Sequence, residues 1–166
     1  MVKLSSSSTP SRLAEREVSL SLRRFAHWIE SASTYAARNM GLHVTDLTCI
    51  GYLDEQQHPI SVKQIVDHVG ISSGSGTGLI DRLEKLGYVR RVQNPKDRRG
   101  ILVQLNAENA EEPLAYFRRL QSAFATALET IDQAELKKFM VFLDIVVAVD
   151  PADLMRDERS ADPHPR

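Results

Sequence analysis

The feature that most constrains this chain is a pair of short helical segments separated by a turn of three residues, Gly70-Ile71-Ser72. Before the turn, Ser61 and Gln64 have the spacing of a capping box, which predicts a helix that starts after Ser61 and stops at the glycine. After the turn, either of two adjacent serines can cap a second helix, which reaches Leu86 and stops at another glycine. Two short helices joined this tightly are typical of a helix-turn-helix motif.

The hydrophobic period changes directly after this motif. Tyr88–Gln93 and Ile101–Leu105 are predicted to be strands, because their apolar residues alternate or cluster as in half-buried strands. Asn94–Gly100 lies between them and is a charged turn, so the two strands form a hairpin with an extended basic tip. A helix-turn-helix followed by such a hairpin predicts a winged helix-turn-helix.

Four further segments have helical periodicity. The first, Arg12–Asn39, is apolar on more than one side, so we expect it to pack against more than its own domain. The others are predicted at about Asp46–Asp54 after an N-cap at Thr45, at Ala107–Leu128 after an N-cap at Asn106, and after Asp132, where Glu135 completes a capping box. Ile145–Val149, the longest apolar run, is expected to be a buried helix end.

These segments predict a mainly α fold with a small β-hairpin. We expect one domain over residues 12–149, with the winged helix-turn-helix at 45–105. Residues 1–11 are rich in serine and residues 150–166 in proline and charge, so both are expected to be flexible tails. The chain has 42% hydrophobic and 26% charged residues, which is typical of globular proteins.

Charge is distributed unevenly along the chain. The whole chain carries −1, but residues 61–99 hold eight basic and four acidic side chains, a local charge of +4. A basic patch on an acidic body is the electrostatic footprint of a nucleic-acid-binding protein. An ordinary solvated surface can have the same composition, so charge alone leaves both interpretations open.

A winged helix-turn-helix gives these charges a place on double-stranded DNA. A helix fits the major groove, and its N-terminal side chains reach the base edges. The hairpin tip can reach the adjacent minor groove, where narrow A·T-rich stretches attract arginine. The predicted DNA-binding residues are Ser61, Lys63, Ser73, Ser75, Thr77, Arg82, Lys96, Asp97, Arg98 and Arg99.

Two runs of residues carry a specific resemblance. The first joins Ile65–Ser72 to Leu79–Val89, which contains Leu-Ile-Asp-Arg-Leu-Glu, and the second joins Asn94–Arg99 to Ile101–Leu105. With these motifs, residues 61 to 105 resemble the MarR (multiple antibiotic resistance regulator) family, and the order of the flanking helices is similar as well.

The resemblance implies a transcriptional regulator. It implies a homodimer held by N- and C-terminal dimerisation helices, which would be residues 12–44 and 107–149. It also implies a recognition helix at residues 73–86 and a wing at 94–100. Such a dimer would repress transcription from a pseudo-palindromic operator, with its two recognition helices about one DNA turn apart.

The resemblance also implies roles for individual residues. Asp97 would pair with Arg99 and direct it towards the minor groove. A small lipophilic or phenolic effector would bind between the dimerisation and DNA-binding regions and lower the affinity for DNA. Trp28, Tyr35 and His43 are the candidate lining of that pocket, although ordinary core and dimer-interface packing explains the same residues.

The start of the recognition helix departs from the family pattern. Residues 73–78 alternate hydroxyl residues with three glycines, and each helical glycine costs about 1 kcal/mol relative to alanine. We hypothesise that this segment frays in the free protein and orders on DNA, where Ser73, Ser75 and Thr77 make hydroxyl contacts. Because hydroxyls discriminate bases weakly, the wing and the shape of the DNA would carry more of the specificity.

Two further groups have ordinary structural interpretations. Asp81, Glu84 and Lys85 are expected to form a helix-surface network around an Arg82 that faces phosphate. Cys49 is expected to be a buried, inert thiol, with a redox sensor as the alternative. A single cysteine cannot form an internal disulfide, which points to a reducing cytoplasm.

Other classes of protein find little support in the residues. The glycine-serine run lacks the lysine ending and the preceding strand of a phosphate loop. The five histidines do not have the spacing of metal ligands, no catalytic constellation can be assembled, and no apolar run is long enough for a membrane span. We therefore expect no enzyme, metal or cofactor. A protein-interaction module with the same fold but no operator of its own remains the alternative function.

Overall fold

The computed structural model of the chain describes residues 11–95, 97 and 100–155. Its helices are α1 (Arg12–Asn39), α2 (Val44–Gln56), α3 (Val62–Val69), α4 (Ser73–Lys85), α5 (Glu111–Leu128) and α6 (Gln133–Val147), with a short 3-10 helix at Asp153–Met155. Its strands are β1 (Ile60–Ser61), β2 (Val89–Gln93) and β3 (Ile101–Leu105). The chain divides into two compact units between Arg119 and Leu120. The mainly α fold with a small β-hairpin is thus confirmed.

Helix α3 forms as the capping-box pattern predicts. Ser61 Oγ accepts the Gln64 backbone N–H at 3.3 Å, and Gln64 Oε1 accepts the Ser61 backbone N–H at 3.0 Å. Gly70 ends the helix with φ +73°, a left-handed conformation that favours glycine. The bounds predicted for α1 are also confirmed, with Gly41 at φ +67° after its end.

Two predicted helix starts are wrong. Helix α2 begins at Val44 instead of Asp46, because Asp46 Oδ2 accepts the His43 backbone N–H at 2.9 Å and so caps the helix two residues earlier than Thr45 would. Helix α5 begins at Glu111 instead of Ala107, because the residues after Asn106 form turns. Pro113 lies in the first turn of α5, where its missing N–H costs no helical hydrogen bond.

The three strands form one antiparallel sheet in the order β1-β3-β2. The hairpin register pairs Arg91 with Val103 and Gln93 with Ile101. Strand β1, which the sequence analysis does not predict, pairs Ile60 with Val103 and Ser61 with Leu102. As a result the residue that caps α3 is also paired with the hairpin in the sheet.

The core of the first unit lies between the short helices and the sheet. Its most buried large side chains come from α2, β1, α3, α4 and β3: Leu47, Ile50, Ile60, Ile65, Leu79, Ile80, Leu83 and Val103. Cys49 is buried with them, as predicted, and burial together with the nearby Asp46 carboxylate raises the pKa of its thiol to about 12. The thiol is therefore protonated near neutral pH, which fits an inert cysteine.

The second unit contains α6, whose start is confirmed. Asp132 Oδ1 accepts the Glu135 backbone N–H at 2.8 Å. The expectation of a buried helix end at Ile145–Val149 is wrong for the single chain, since Ile145 is 65% and Val147 78% exposed. The apolar face of this helix is left at the surface.

Candidate nucleic-acid interface

The contact between α3 and α4 depends on one glycine. Ser72 caps α4 by accepting the Ser75 backbone N–H at 3.3 Å. One turn along, a Cβ placed on Gly76 would lie 2.2 Å from Val66 Cγ2, which is too close for a real contact. The observed separation of α3 and α4 therefore requires a residue without a side chain at this position. The same construction at Gly74 and Gly78 meets nothing within 4 Å. Of the three glycines in α4, one is required by packing and two border open space.

The predicted base-reading residues, Ser73, Ser75 and Thr77, are exposed. Their hydroxyls already have weak partners within the helix: Thr77 Oγ1 donates to Ser73 O at 3.3 Å, and Ser75 Oγ lies 3.0 Å from Ser72 Oγ. These bonds are exposed and local, so they can exchange for bonds to a ligand. Contact with bases and fraying in the free protein stay predictions.

Arg82 and Asp46 connect α4 to α2. Arg82 Nε donates to Asp46 Oδ1 at 3.0 Å and to Oδ2 at 3.1 Å, and Arg82 Nη2 lies 2.5 Å from Oδ1. Asp46 is fully buried. Its hydrogen bond raises the pKa of Arg82 above the ordinary value, against the opposing effect of burial. The predicted network around Arg82 is therefore wrong in its partners, because Arg82 pairs with Asp46 and not with Asp81 or Glu84. A phosphate contact by Arg82 stays a prediction.

Asp81 and Glu84 instead bind Arg91, which lies on β2. Arg91 Nη2 lies 2.6 Å from Asp81 Oδ1, and Arg91 Nη1 donates to Glu84 Oε2. The backbone N–H of Arg91 also donates to Glu84 Oε1 at 3.1 Å. Hydrogen bonds to Asp81 and Glu84 raise the pKa of Arg91, against the effect of burial. The hairpin is thus held to α4 by one side chain and one backbone group.

The start of α3 holds two predicted backbone contacts, Ser61 and Lys63. The Ser61 hydroxyl is used in the cap, where it also donates to Gln64 Oε1 at 2.8 Å. Lys63 Nζ lies 2.5 Å from Asp67 Oδ2, with side chains that are 81% and 60% exposed. An exposed pair of this kind contributes at most about 1 kcal/mol, so Lys63 can leave it for a phosphate at little cost.

The hairpin tip is closed by backbone hydrogen bonds. The Asn94 N–H donates to Gly100 O at 3.0 Å, and the Gly100 N–H donates to Asp97 O at 2.9 Å. Asp97 is exposed. Lys96, Arg98 and Arg99 lie outside the described residues, so their DNA contacts and the pairing of Asp97 with Arg99 stay predictions.

The predicted effector residues lie on α1 and just before α2, and their shared pocket stays a prediction. Trp28 and Tyr35 lie on α1 and are 48% and 72% exposed. His43 is exposed just before α2. A shallow depression on α1 includes Tyr35, and its lining residues are His27, Glu30, Ser31, Thr34, Tyr35 and Arg38.

Two residues of the site, Asp46 and Arg91, are not among those predicted from the sequence. Asp46 follows His43 by three residues, which is capping-box spacing, but histidine is not a preferred N-cap and gives no signal. Arg91 does have a signal: a period of two along β2 places it on the same face as the buried Val89. A basic residue on a half-buried face needs an acidic partner, and two carboxylates lie on the preceding helix.

Within the described part of the chain, no group of three or more histidine, cysteine, aspartate or glutamate side chains is placed to hold a metal ion. In the same residues, none of the helices has both the length and the apolar character that crossing a bilayer requires.

A short helix-turn-helix followed by a hairpin that is held to its second helix defines the winged helix-turn-helix class of DNA-binding regulators. Residues 40–100 match the model of the MarR family. YcgE of Bacillus subtilis, an uncharacterized HTH-type transcriptional regulator, is 32% identical over 123 residues, which cover 74% of this chain and 76% of the relative. The chain belongs to the MarR family of transcriptional regulators.

Other relatives agree with this assignment. YfiV of Bacillus subtilis, also an HTH-type transcriptional regulator, is 45% identical over 53 residues, 32% of each chain. A MarR family protein from Bacillus stearothermophilus has a TM-score of 0.65 at 18% identity and covers 83% of this chain and 96% of that one. CouR from Rhodococcus jostii, solved with p-coumaroyl-CoA bound, has a TM-score of 0.64 at 21% identity over 84% and 98%. At such identities, the two solved structures show the shared fold.

Proposed function

We propose that this MarR-family regulator is a homodimeric repressor that binds a pseudo-palindromic operator with α4 and the wing of each protomer. The observation that carries the proposal is the exposed start of α4, with the hydroxyls of Ser73, Ser75 and Thr77 at the surface, beside a hairpin tied to the same helix by Arg91. This arrangement offers one element to the major groove and another to the adjacent minor groove.

The apolar side chains of α1 and α6 support a dimer. On α1, Phe25 is 51% exposed, and Trp28 stacks against it with ring centroids 6.4 Å apart. On α6, Ile145 and Val147 are among the most exposed large hydrophobic residues. Full burial of one such side chain contributes about 1.5–3 kcal/mol, so a second copy that covers these faces would be held firmly. Two-fold symmetry of the dimer would then match a pseudo-palindromic operator.

An effector completes the proposal. The dimer would have two shapes that differ in the spacing of the recognition helices. A ligand that binds one shape more tightly would favour it and so change that spacing. Two observations support a small lipophilic or phenolic molecule: the relative CouR holds p-coumaroyl-CoA, and α1 presents aromatic side chains beside a shallow depression. We place the regulator and its effector in the cytoplasm as part of the same proposal.

One experiment tests both the binding of a specific DNA sequence and its dependence on the dimer. Purified protein is mixed with sheared genomic DNA at low salt, and the bound fragments are sequenced. We expect enrichment of a few fragments that share an inverted repeat. Val147→Glu, which places a charge on the exposed face of α6, should give a monomer by light scattering and lose that enrichment. If wild-type protein enriches no fragment over random duplex, the repressor proposal fails, and a protein-interaction module becomes the better explanation.

A further inference from the structure

The contact between Arg91 and α4 assigns this basic residue a task other than DNA binding. We propose that Arg91 is a positioning residue, which sets the angle of the wing against the recognition helix through Asp81 and Glu84. This inference rests on the proposed function of α4 and the wing as the two parts that grip DNA.

Few hydrogen-bond donors of the Arg91 guanidinium are available to a DNA phosphate. Both terminal nitrogens of its guanidinium are directed at carboxylates, Nη2 at Asp81 and Nη1 at Glu84. Its side chain is only 30% exposed, although Asp81 is 60% and Glu84 39% exposed. The three side chains together carry −1, so a phosphate that approached Arg91 would meet two competing anions.

Glu84 adds a second connection that a surface ion pair would lack. Strand β2 lies at the edge of the sheet, beyond β3. Glu84 Oε1 accepts the backbone N–H of Arg91 at 3.1 Å, while Glu84 Oε2 accepts from the guanidinium. The carboxylate therefore holds the backbone of the edge strand as well as its side chain, as an additional strand would.

The position of this contact explains its effect on the wing. Arg91 lies two residues before Gln93, where the ladder ends and the tip begins. At about 3.3 Å per residue, the tie to α4 lies roughly 7 Å from the base of the tip. Without it, β1 would still hold β3, but β2 would be left with its ladder to β3 and the buried Val89, so the β2 side of the tip could move relative to α4.

Replacement of Glu84 distinguishes between DNA contact and wing positioning as the role of Arg91, because the two roles predict opposite changes in DNA affinity. If Arg91 contacted DNA, Glu84→Gln would remove a competing anion and strengthen binding. If Arg91 positions the wing, Glu84→Gln should weaken binding about tenfold, because one of the two oxygens that hold Arg91 becomes an amide nitrogen, which cannot accept a hydrogen bond. The measurement is fluorescence anisotropy with the most enriched genomic duplex. Glu112→Gln, which removes the same charge at the start of α5, is the matched control and should bind no more weakly than wild type.

A second variant and a readout without DNA complete the test. Arg91→Lys keeps the charge but cannot serve both carboxylates with a planar fork, so it should bind about as weakly as Glu84→Gln. Amide exchange at Val92 and Leu102 in the free protein should become faster in both variants, while thermal unfolding by circular dichroism shows the fold intact. Unchanged hairpin exchange, or tighter DNA binding by Glu84→Gln, would overturn the inference. A wild-type protein that binds no fragment but shows the faster exchange in its variants would instead refute the repressor proposal alone.

Discussion

Gly76 of α4 and Val66 of α3 touch so closely that a Cβ on Gly76 would lie 2.2 Å from Val66 Cγ2. Val66 is buried and β-branched, so it has little freedom to move aside. This single contact sets the separation of the two helices of the helix-turn-helix.

Gly76→Ala should therefore destabilise the protein, although alanine is the better helix former. We expect a loss of about 1–3 kcal/mol in the free energy of unfolding, the usual cost of overpacking a core. Gly78→Ala is the matched control: it borders open space, and it should raise the same free energy by up to about 1 kcal/mol. Urea denaturation of both variants measures the difference, and a stabilising Gly76→Ala would contradict the packing.

Arg82→Ala should cost far more stability than the removal of an exposed cation. It would leave the Asp46 carboxylate buried without its charged partner. Removal of one partner of a buried pair costs about 3–5 kcal/mol, and because Arg82 is 38% exposed we expect about 2 kcal/mol. Lys63→Ala breaks an exposed pair and should cost at most about 1 kcal/mol. Equal denaturation midpoints for the two variants would count against the role of Asp46.

Stability should fall in alkaline solution because of Cys49. The unfolded thiol loses its proton above pH 9.0, whereas the folded thiol keeps it to about pH 12. Between these values the unfolded state binds fewer protons, so the free energy of unfolding decreases as pH rises, by up to about 1.4 kcal/mol per pH unit. Cys49→Ala should lack this contribution. Unfolding of both proteins from pH 8 to 11 gives the difference in slope, and parallel curves would show that the thiol is not protected.

Arg99→Ala should weaken operator binding and reduce its dependence on salt. If Arg99 reaches the minor groove beside phosphates, its loss lowers the slope of log affinity against log salt by about 1 per half-site. Anisotropy titrations between 50 and 200 mM salt, roughly the range in which such slopes are measured, provide the comparison. Arg119→Ala, an exposed change on α5, serves as the control. An unchanged slope for Arg99→Ala would show that the wing does not bind as proposed.

Local sequence signals predict the elements that depend on local chemistry. The capping box at Ser61 and Gln64 and the glycine after α3 define that helix completely, because the interactions that start and end it lie within a few residues. The start of α2 could not be predicted in this way. Its cap comes from Asp46, which is held in place by Arg82 of α4, 36 residues away.

Long-range pairing accounts for the other differences. Strand β1 has two residues, too few to show a period, and it exists because β3 lies beside it. Arg82 and Arg91 both belong to the basic stretch, but the sequence alone does not show that each faces a carboxylate. The count of basic residues in that stretch therefore overstates the charge that is available to DNA.

Ser61 closes β1 and caps α3 with the same residue, which limits where the chain can change in length. An insertion at the hairpin tip would extend a closed turn and leave both strands in register. An insertion between Ile60 and Val62 would move the cap away from its helix or the strand away from β3, so one of the two connections would be lost. Natural or engineered variants of this regulator can therefore lengthen the wing far more readily than the junction of β1 with α3 at Ser61.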